Sequence, residues 1–130
     1  NAEGFELFLS SIKSYFDNLI IIFGCGGDRD KLKRPKMLKI AMQNGKKVIF
    51  TSDNSRSESF NSIYIDAIDS MKNHDVLAIE DRKEAIIQGS KMIGDNDCLV
   101  ILGKGHENTQ EINGKFLYFS DHEVVNEIYK

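Results

Sequence analysis

A chain of 130 residues is long enough for one domain with its own core, and its 41% hydrophobic and 28% charged residues are an ordinary globular mixture. A net charge of −3 argues against a general nucleic-acid surface, which needs a basic excess or stripe. No apolar run is long enough to span a bilayer, and the opening Asn1-Ala2-Glu3-Gly4 is not a signal peptide, so a cytoplasmic protein with no nucleic-acid and no membrane partner is expected.

Phe5, Phe8, Leu9, Ile12 and Phe16 recur at helical spacing and predict an amphipathic helix over 3–16. Leu19-Ile20-Ile21-Ile22-Phe23 reads as a buried strand that ends at Gly24-Cys25-Gly26-Gly27. Pro35 falls in the first turn of the next helix, which carries Met37, Leu38, Ile40 and Ala41 and stops at Asn44-Gly45. Residues 47–51 form the second strand, and Ser52-Asp53-Asn54-Ser55 is turn chemistry. Ser57 or Ser59 caps a helix with Ile63, Ile65, Ile68 and Met71 on its apolar side. Val76–Ile79 is the third strand, Asp81 the N-cap of a helix over 82–93, and Cys98–Leu102 the fourth strand. Asn113-Gly114 between Thr109–Ile112 and Lys115–Phe119 is a strong hairpin signal, and Ser120 or Asp121 opens a closing helix.

Helices alternating with fully apolar strands imply an α/β fold: a mostly parallel sheet with helices on both faces, ending in a C-terminal β-hairpin that adds a locally antiparallel edge. Residues 1–130 form a single domain. The chain opens in an amphipathic segment without an initiator Met, so a piece of a longer protein is expected, and whether Asn1 is native stays open. Cys25 and Cys98 have no metal-ligand spacing and read as reduced thiols, Cys98 in the core.

Ligands of open α/β sheets sit beyond the carboxyl ends of the strands. Three polar clusters fall there: residues 24–31, 52–56 and 103–107. They combine the cations Arg29, Arg56 and Lys104 with the anions Asp53 and Glu107, a mixture suited to a zwitterion. The glycines allow backbone N–H groups to approach an anion. Each feature has a plainer explanation. Gly24 to Gly27 alone fits a tight strand exit, Arg29 to Arg34 a solvated loop, and Arg56 a surface side chain. The third strand end, Glu80-Asp81-Arg82, is explained by helix capping. There is no P-loop and no Gly-x-Ser-x-Gly elbow, and Gly24-x-Gly26-x-x-Arg29 fails the dinucleotide fingerprint at its third glycine.

Gly24–Lys31 followed by Lys33-Arg34-Pro35, Asp53-Asn54-Ser55-Arg56, Gly103-Lys104-Gly105-His106-Glu107 and Tyr118–Asp121 stand in an order and spacing that resemble the C-terminal domain of the Mur ligases, in particular the UDP-N-acetylmuramoyl-tripeptide synthetases. The resemblance covers nearly the whole chain from Leu19 onward. It implies a Rossmann-like domain that holds the incoming amino acid. A central ATP-binding domain carries the P-loop and Mg2+ sites, and a first domain binds UDP-N-acetylmuramoyl-L-alanyl-D-glutamate. ATP phosphorylates the dipeptide carboxylate, and the amine of the amino acid attacks the acyl-phosphate. ATP and Mg2+ would therefore serve the full-length enzyme, with no cofactor tightly bound to this domain and no metal or catalytic residue in it.

The resemblance assigns contacts with a diamino acid to Arg29, Asp53, Asn54, Arg56, Gly103 and Glu107. Arg56 would clamp the distal carboxylate, with Arg29 also serving carboxylate binding, and Glu107 would take the distal ammonium. Asp28 would face the nucleotide side, and Lys104 and His106 would shape the pocket floor. Arg56 favours meso-diaminopimelate or a similar diamino acid such as lanthionine over lysine. Ser55 stands where the family usually has Pro, which removes a fixed φ before Arg56. With neither P-loop nor nucleotide-sugar domain, the chain by itself is expected not to ligate. The alternatives are a dinucleotide-binding domain of an oxidoreductase and a non-catalytic α/β interaction module.

Overall fold

The computed structural model describes residues 2–69 and 71–130, so Asn1 lies outside the described residues. Its elements are α1 (Ala2–Lys13), β1 (Asn18–Phe23), α2 (Lys33–Asn44), β2 (Lys47–Phe50), α3 (Phe60–Ile68), β3 (Leu77–Ala78), α4 (Arg82–Ser90), β4 (Asp97–Ile101), β5 (Thr109–Ile112), β6 (Lys115–Tyr118) and α5 (Asp121–Ile128). Four strands pair in parallel in the order β3-β2-β1-β4. The uninterrupted apolar run of β1 suits its central place, because a strand covered on both faces has no solvent side to mark with polar residues.

Side-chain alternation divides the core. Leu19, Ile21 and Phe23 of β1, with Val48 and Phe50 of β2, pack with Leu9 of α1, Leu38 of α2 and Ile63 of α3. Ile22 and Ile49 face the other way, onto Ala85 and Ile86 of α4 and Val124 of α5. Phe23 stacks edge-on against Phe5 and Phe50, with ring centroids 5.2 and 5.4 Å away. Fully burying one such side chain contributes about 1.5–3 kcal/mol.

Helix starts follow the local code. Ser59, Asp81 and Ser120 each accept a hydrogen bond from the backbone N–H three residues on. Several boundaries fall short of expectation. The first helix ends at Lys13, leaving Phe16 outside it, and Phe8 and Ile65 are exposed rather than in the core. β3 keeps only two residues, both exposed, as befits a sheet edge. The fourth helix ends at Ser90. Gly45 ends α2 without a left-handed turn, at φ −99°. Its hydrogen side chain matters for packing, since a Cβ there would lie 2.8 Å from Ile21 Cδ1.

The hairpin is the main departure. β5 and β6 form a separate two-stranded sheet instead of an edge of the main one. Asn113 and Gly114 take φ of 53° and 74°, as the two-residue turn requires. The chain leaves β4 through Gly103 at φ 115° and Gly105 at φ 54°. These left-handed steps turn it away from the sheet and over the loop that follows β2, where a single parallel bridge joins Arg56 to Ile112.

Candidate functional site

The loops leaving β1, β2 and β4 meet at the carboxyl edge of the sheet. The Gly27 N–H donates to the Asn54 carbonyl at 2.8 Å. A Cβ on Gly24 would lie 2.2 Å from the Thr51 carbonyl oxygen, and one on Gly27 would lie 1.8 Å from that of Ser55. The gaps left by these two glycines are therefore filled by the neighbouring backbone. Close backbone packing requires glycine at these two positions, and the Gly27 N–H is already engaged by the β2 loop.

Asp53, Gly103, Lys104 and Glu107 come together. The buried Lys104 ammonium bonds the Thr109 carbonyl and stands 3.9 Å from both Asp53 Oδ1 and Glu107 Oε1. Asp53 Oδ1 is buried and has no hydrogen-bond partner. Burial raises the Asp53 pKa; Arg82 and Lys104 oppose that shift, and Glu107 adds to it. Gly103 packs close to this carboxylate, since a Cβ there would fall 3.2 Å from Asp53 Oδ2. The Glu107 side chain is 56% exposed.

Arg56 and Asn54 form an adjoining group. Arg56 Nη1 donates to the carbonyls of Gly27 at 3.0 Å and Asn54 at 3.3 Å. Arg56 sits at φ 53°, a left-handed conformation that costs a side chain roughly 1–2 kcal/mol. The hairpin holds it there: the Arg56 N–H donates to Glu111 O at 3.0 Å, and the Asn113 N–H donates to Arg56 O at 2.8 Å. Asn54 Oδ1 accepts from the Glu111 N–H at 2.9 Å. Gly26 lies between the two arginines of the expected site, its absent Cβ 2.9 Å from Arg56 Nη1 and 3.5 Å from Arg29 Cγ. Arg29 itself is exposed and bonds the Asp28 carbonyl.

The side chains of Asp28 and His106 bond outside these groups. Asp28, at φ 54°, receives the Ser57 hydroxyl at 2.6 Å and donates its own N–H to Glu58. His106 is exposed and stacks on His122, with ring centroids 5.3 Å apart and planes 5° from parallel. Cys25 packs against the core, and burial pushes its thiol up to about 12, which removes it as a nucleophile near neutral pH. Cys98 is half-buried beside the same core.

Comparison with known proteins decides the family. The model for the Mur ligase C-terminal domain, described as "Mur ligase, glutamate ligase domain", matches residues 1–105. The chain belongs to the Mur ligase family. It is 40% identical over 129 residues to UDP-N-acetylmuramoyl-L-alanyl-D-glutamate–2,6-diaminopimelate ligase 1 of Clostridium acetobutylicum, covering 98% of this chain and 27% of that protein. The corresponding ligase of Helicobacter pylori is 41% identical over 128 residues, covering 98% of this chain and 28% of its own length. A solved structure of a 2,6-diaminopimelate ligase of this name superposes with a TM-score of 0.92 at 38% identity, covering 98% of this chain and 27% of the other. Folylpolyglutamate synthase from Thermotoga maritima superposes with a TM-score of 0.55 at 27% identity, covering 78% and 22%. The chain thus spans about a quarter of the length of the ligases it matches.

Two arginines of this Mur ligase domain escaped the sequence reading. Arg34, expected in a solvated charged run, is 1% exposed. It bonds Glu58 at 2.6 Å, Asp66 at 2.7 Å and the Gly26 carbonyl at 3.0 Å, tying the β1 loop to the start and body of α3. Arg82, expected only to follow a cap, is 2% exposed. Asp81 does cap α4, but Arg82 crosses beneath the site. It grips Asp121 at 2.7 and 2.8 Å and bonds the carbonyls of Ser52 and Leu102, each at 3.1 Å. Those carbonyls immediately precede Asp53 and Gly103. Gln110 was missed as well; its amide reaches Ser52 Oγ at 2.8 Å and Asp53 O at 3.0 Å. No local pattern marks these residues, because their partners come from other elements.

The Arg34 pair predicts an acid response. Arg34 and the Asp28 N–H hold the Glu58 carboxyl down at about 2, from an ordinary 4.5. A carboxyl lowered on folding stabilises above its unfolded pKa and loses that contribution as pH falls toward its folded one. Stability of this chain should therefore fall between about pH 4.5 and 2, and Glu58→Gln should flatten that slope. Parallel denaturant midpoints for parent and variant across this window would refute the pairing.

Proposed function

We propose that this chain is the amino-acid-holding C-terminal domain of a three-domain, ATP-dependent ligase. The enzyme adds a diamino acid, meso-diaminopimelate, to UDP-N-acetylmuramoyl-L-alanyl-D-glutamate in peptidoglycan synthesis, in the cytoplasm. The observation that carries this reading is the meeting of Asp53, Gly103, Lys104 and Glu107 where the β2 and β4 loops end, with Asp53 Oδ1 buried and without a hydrogen-bond partner. A buried carboxylate oxygen lacking a donor is costly, and an incoming ammonium supplies one. The 40–41% identity to ligases named for diaminopimelate supports the same substrate.

In this reading Arg56 takes the distal carboxylate, Arg29 also serves carboxylate binding, and Glu107 takes the distal ammonium. Asp53, Asn54 and Gly103 line the rest of the amino-acid site. Lys104 and His106 shape its floor, while Asp28 faces the nucleotide side. The domain orients the attacking amine and leaves phosphoryl transfer to the central domain. Fixed orientation is a large rate factor in its own right. Mg2+ belongs, in this reading, to the central domain, as the resemblance to the Mur ligases implies. No helix among the described residues is long and apolar enough to cross a membrane.

The test is ADP release by the complete enzyme. Release should require both the UDP-linked dipeptide and meso-diaminopimelate, with lysine a poor replacement, and this chain alone should release none. Dipeptide-dependent turnover with no preference for diaminopimelate would overturn the substrate. Glu107→Gln should raise the KM for diaminopimelate about two- to five-fold, a modest effect because Glu107 is largely exposed. A loss of ATP affinity instead would move Glu107 to the nucleotide side.

A further inference from the structure

The hairpin places a carboxylate on the guanidinium of Arg56. Glu111 Oε1 stands 3.4 Å from Arg56 Nε, with the two side chains 28% and 19% exposed. Glu111 is held in this position by its backbone. Its N–H donates to Asn54 Oδ1 at 2.9 Å, and its carbonyl accepts from the Arg56 N–H at 3.0 Å.

A guanidinium offers a carboxylate two edges for a two-point grip, Nη1 with Nη2 or Nε with Nη2. The first edge is spent here, because both Nη1 hydrogens go to the carbonyls of Gly27 and Asn54. Among the described residues no hydrogen bond engages Nη2. The Nε–Nη2 edge is the one left, and Glu111 covers its Nε half.

We infer that Glu111 is an internal stand-in for the distal carboxylate of the diamino acid and sets how tightly Arg56 takes it. This rests on the reading of Arg56 as the carboxylate clamp. In the empty site Glu111 neutralises Arg56. On binding, the substrate carboxylate takes the Nε–Nη2 edge and the Glu111 side chain swings out to solvent. The exchange is cheap in both directions, because a part-exposed ion pair is weak. Glu111 is thus a specificity-determining residue. A diamino acid with a second carboxylate can displace it, and one without leaves the pair intact.

The test uses the complete enzyme. Glu111→Gln keeps the backbone bonds and the shape but removes the competing charge, so KM for diaminopimelate should fall about two- to five-fold, with the change in KM rather than kcat. Glu111→Ala should move KM in the same direction. In an Arg56→Ala background, Glu111→Gln should have no effect. A KM that rises, as it would if Glu111 merely steadied Arg56, or one that stays constant, overturns the inference. The underlying reading fails separately, if Arg56→Ala alone leaves KM for diaminopimelate unchanged.

Discussion

Arg82→Ala is expected to destabilise this chain by about 3–5 kcal/mol, the usual cost of removing one partner from a buried ion pair. The size follows from what is stranded. Asp121, 6% exposed, would lose both charge-assisted bonds, and the carbonyls of Ser52 and Leu102 would lose their donor. For a domain of 130 residues this corresponds to a fall in Tm of roughly 10–20 °C by thermal melting. The ion pair need not be a net stabiliser. Replacing both residues, Arg82→Met with Asp121→Leu, should recover much of the loss, since an apolar pair avoids the desolvation of both charges. The double variant should still handle the amino acid poorly, because Arg82 fixes the residues just before Asp53 and Gly103. A single-variant loss below about 1 kcal/mol would show that the pair is not closed off from water.

Arg56→Ala in the complete enzyme should raise the KM for diaminopimelate at least about tenfold, as expected from losing a charge-assisted contact worth about 1.5–3 kcal/mol. KM for the UDP-linked dipeptide should barely move. The substitution also withdraws Nη1 from the carbonyls of Gly27 and Asn54, so some of the effect comes from loosening the β1 and β2 loops. Arg56→Lys separates the two causes. Lysine keeps the charge and the left-handed backbone strain but lacks the fork, so it should restore little affinity if two-point recognition matters. Equal KM values in Arg56→Ala and parent would remove Arg56 from the site.

The local signals were legible for a simple reason. The Leu19–Phe23 run marks a strand with no solvent face, and β1 lies between β2 and β4. Asp81 was readable as a cap, and Ser59 and Ser120 each as one of two candidates, because a cap is decided by a side chain and an N–H three residues away. Asn113-Gly114 was readable as a turn for the same reason. The Asp53–Arg56 and Gly103–Glu107 runs could be placed at one edge because parallel strands end on the same side. What the glycine loop did not reveal is that at Gly24 and Gly27 the place of a side chain is taken by backbone from the β2 side.

The sequence by itself determined the alternation of helices and strands, the buried first strand, the helix starts to within neighbouring candidates, the hairpin turn and the edge at which the polar runs collect. Only the tertiary structure decided that the hairpin leaves the sheet, that its Glu111 and Asn113 hold Arg56 in a left-handed conformation, and that Arg34 and Arg82 are buried. The division follows the range of the interactions. Periodicity, capping and turn chemistry act over a few residues and leave a pattern in the chain. Arg34 and Glu58 lie 24 residues apart and Arg82 and Asp121 lie 39 apart, so whether such charges face water or one another depends on how separate elements pack.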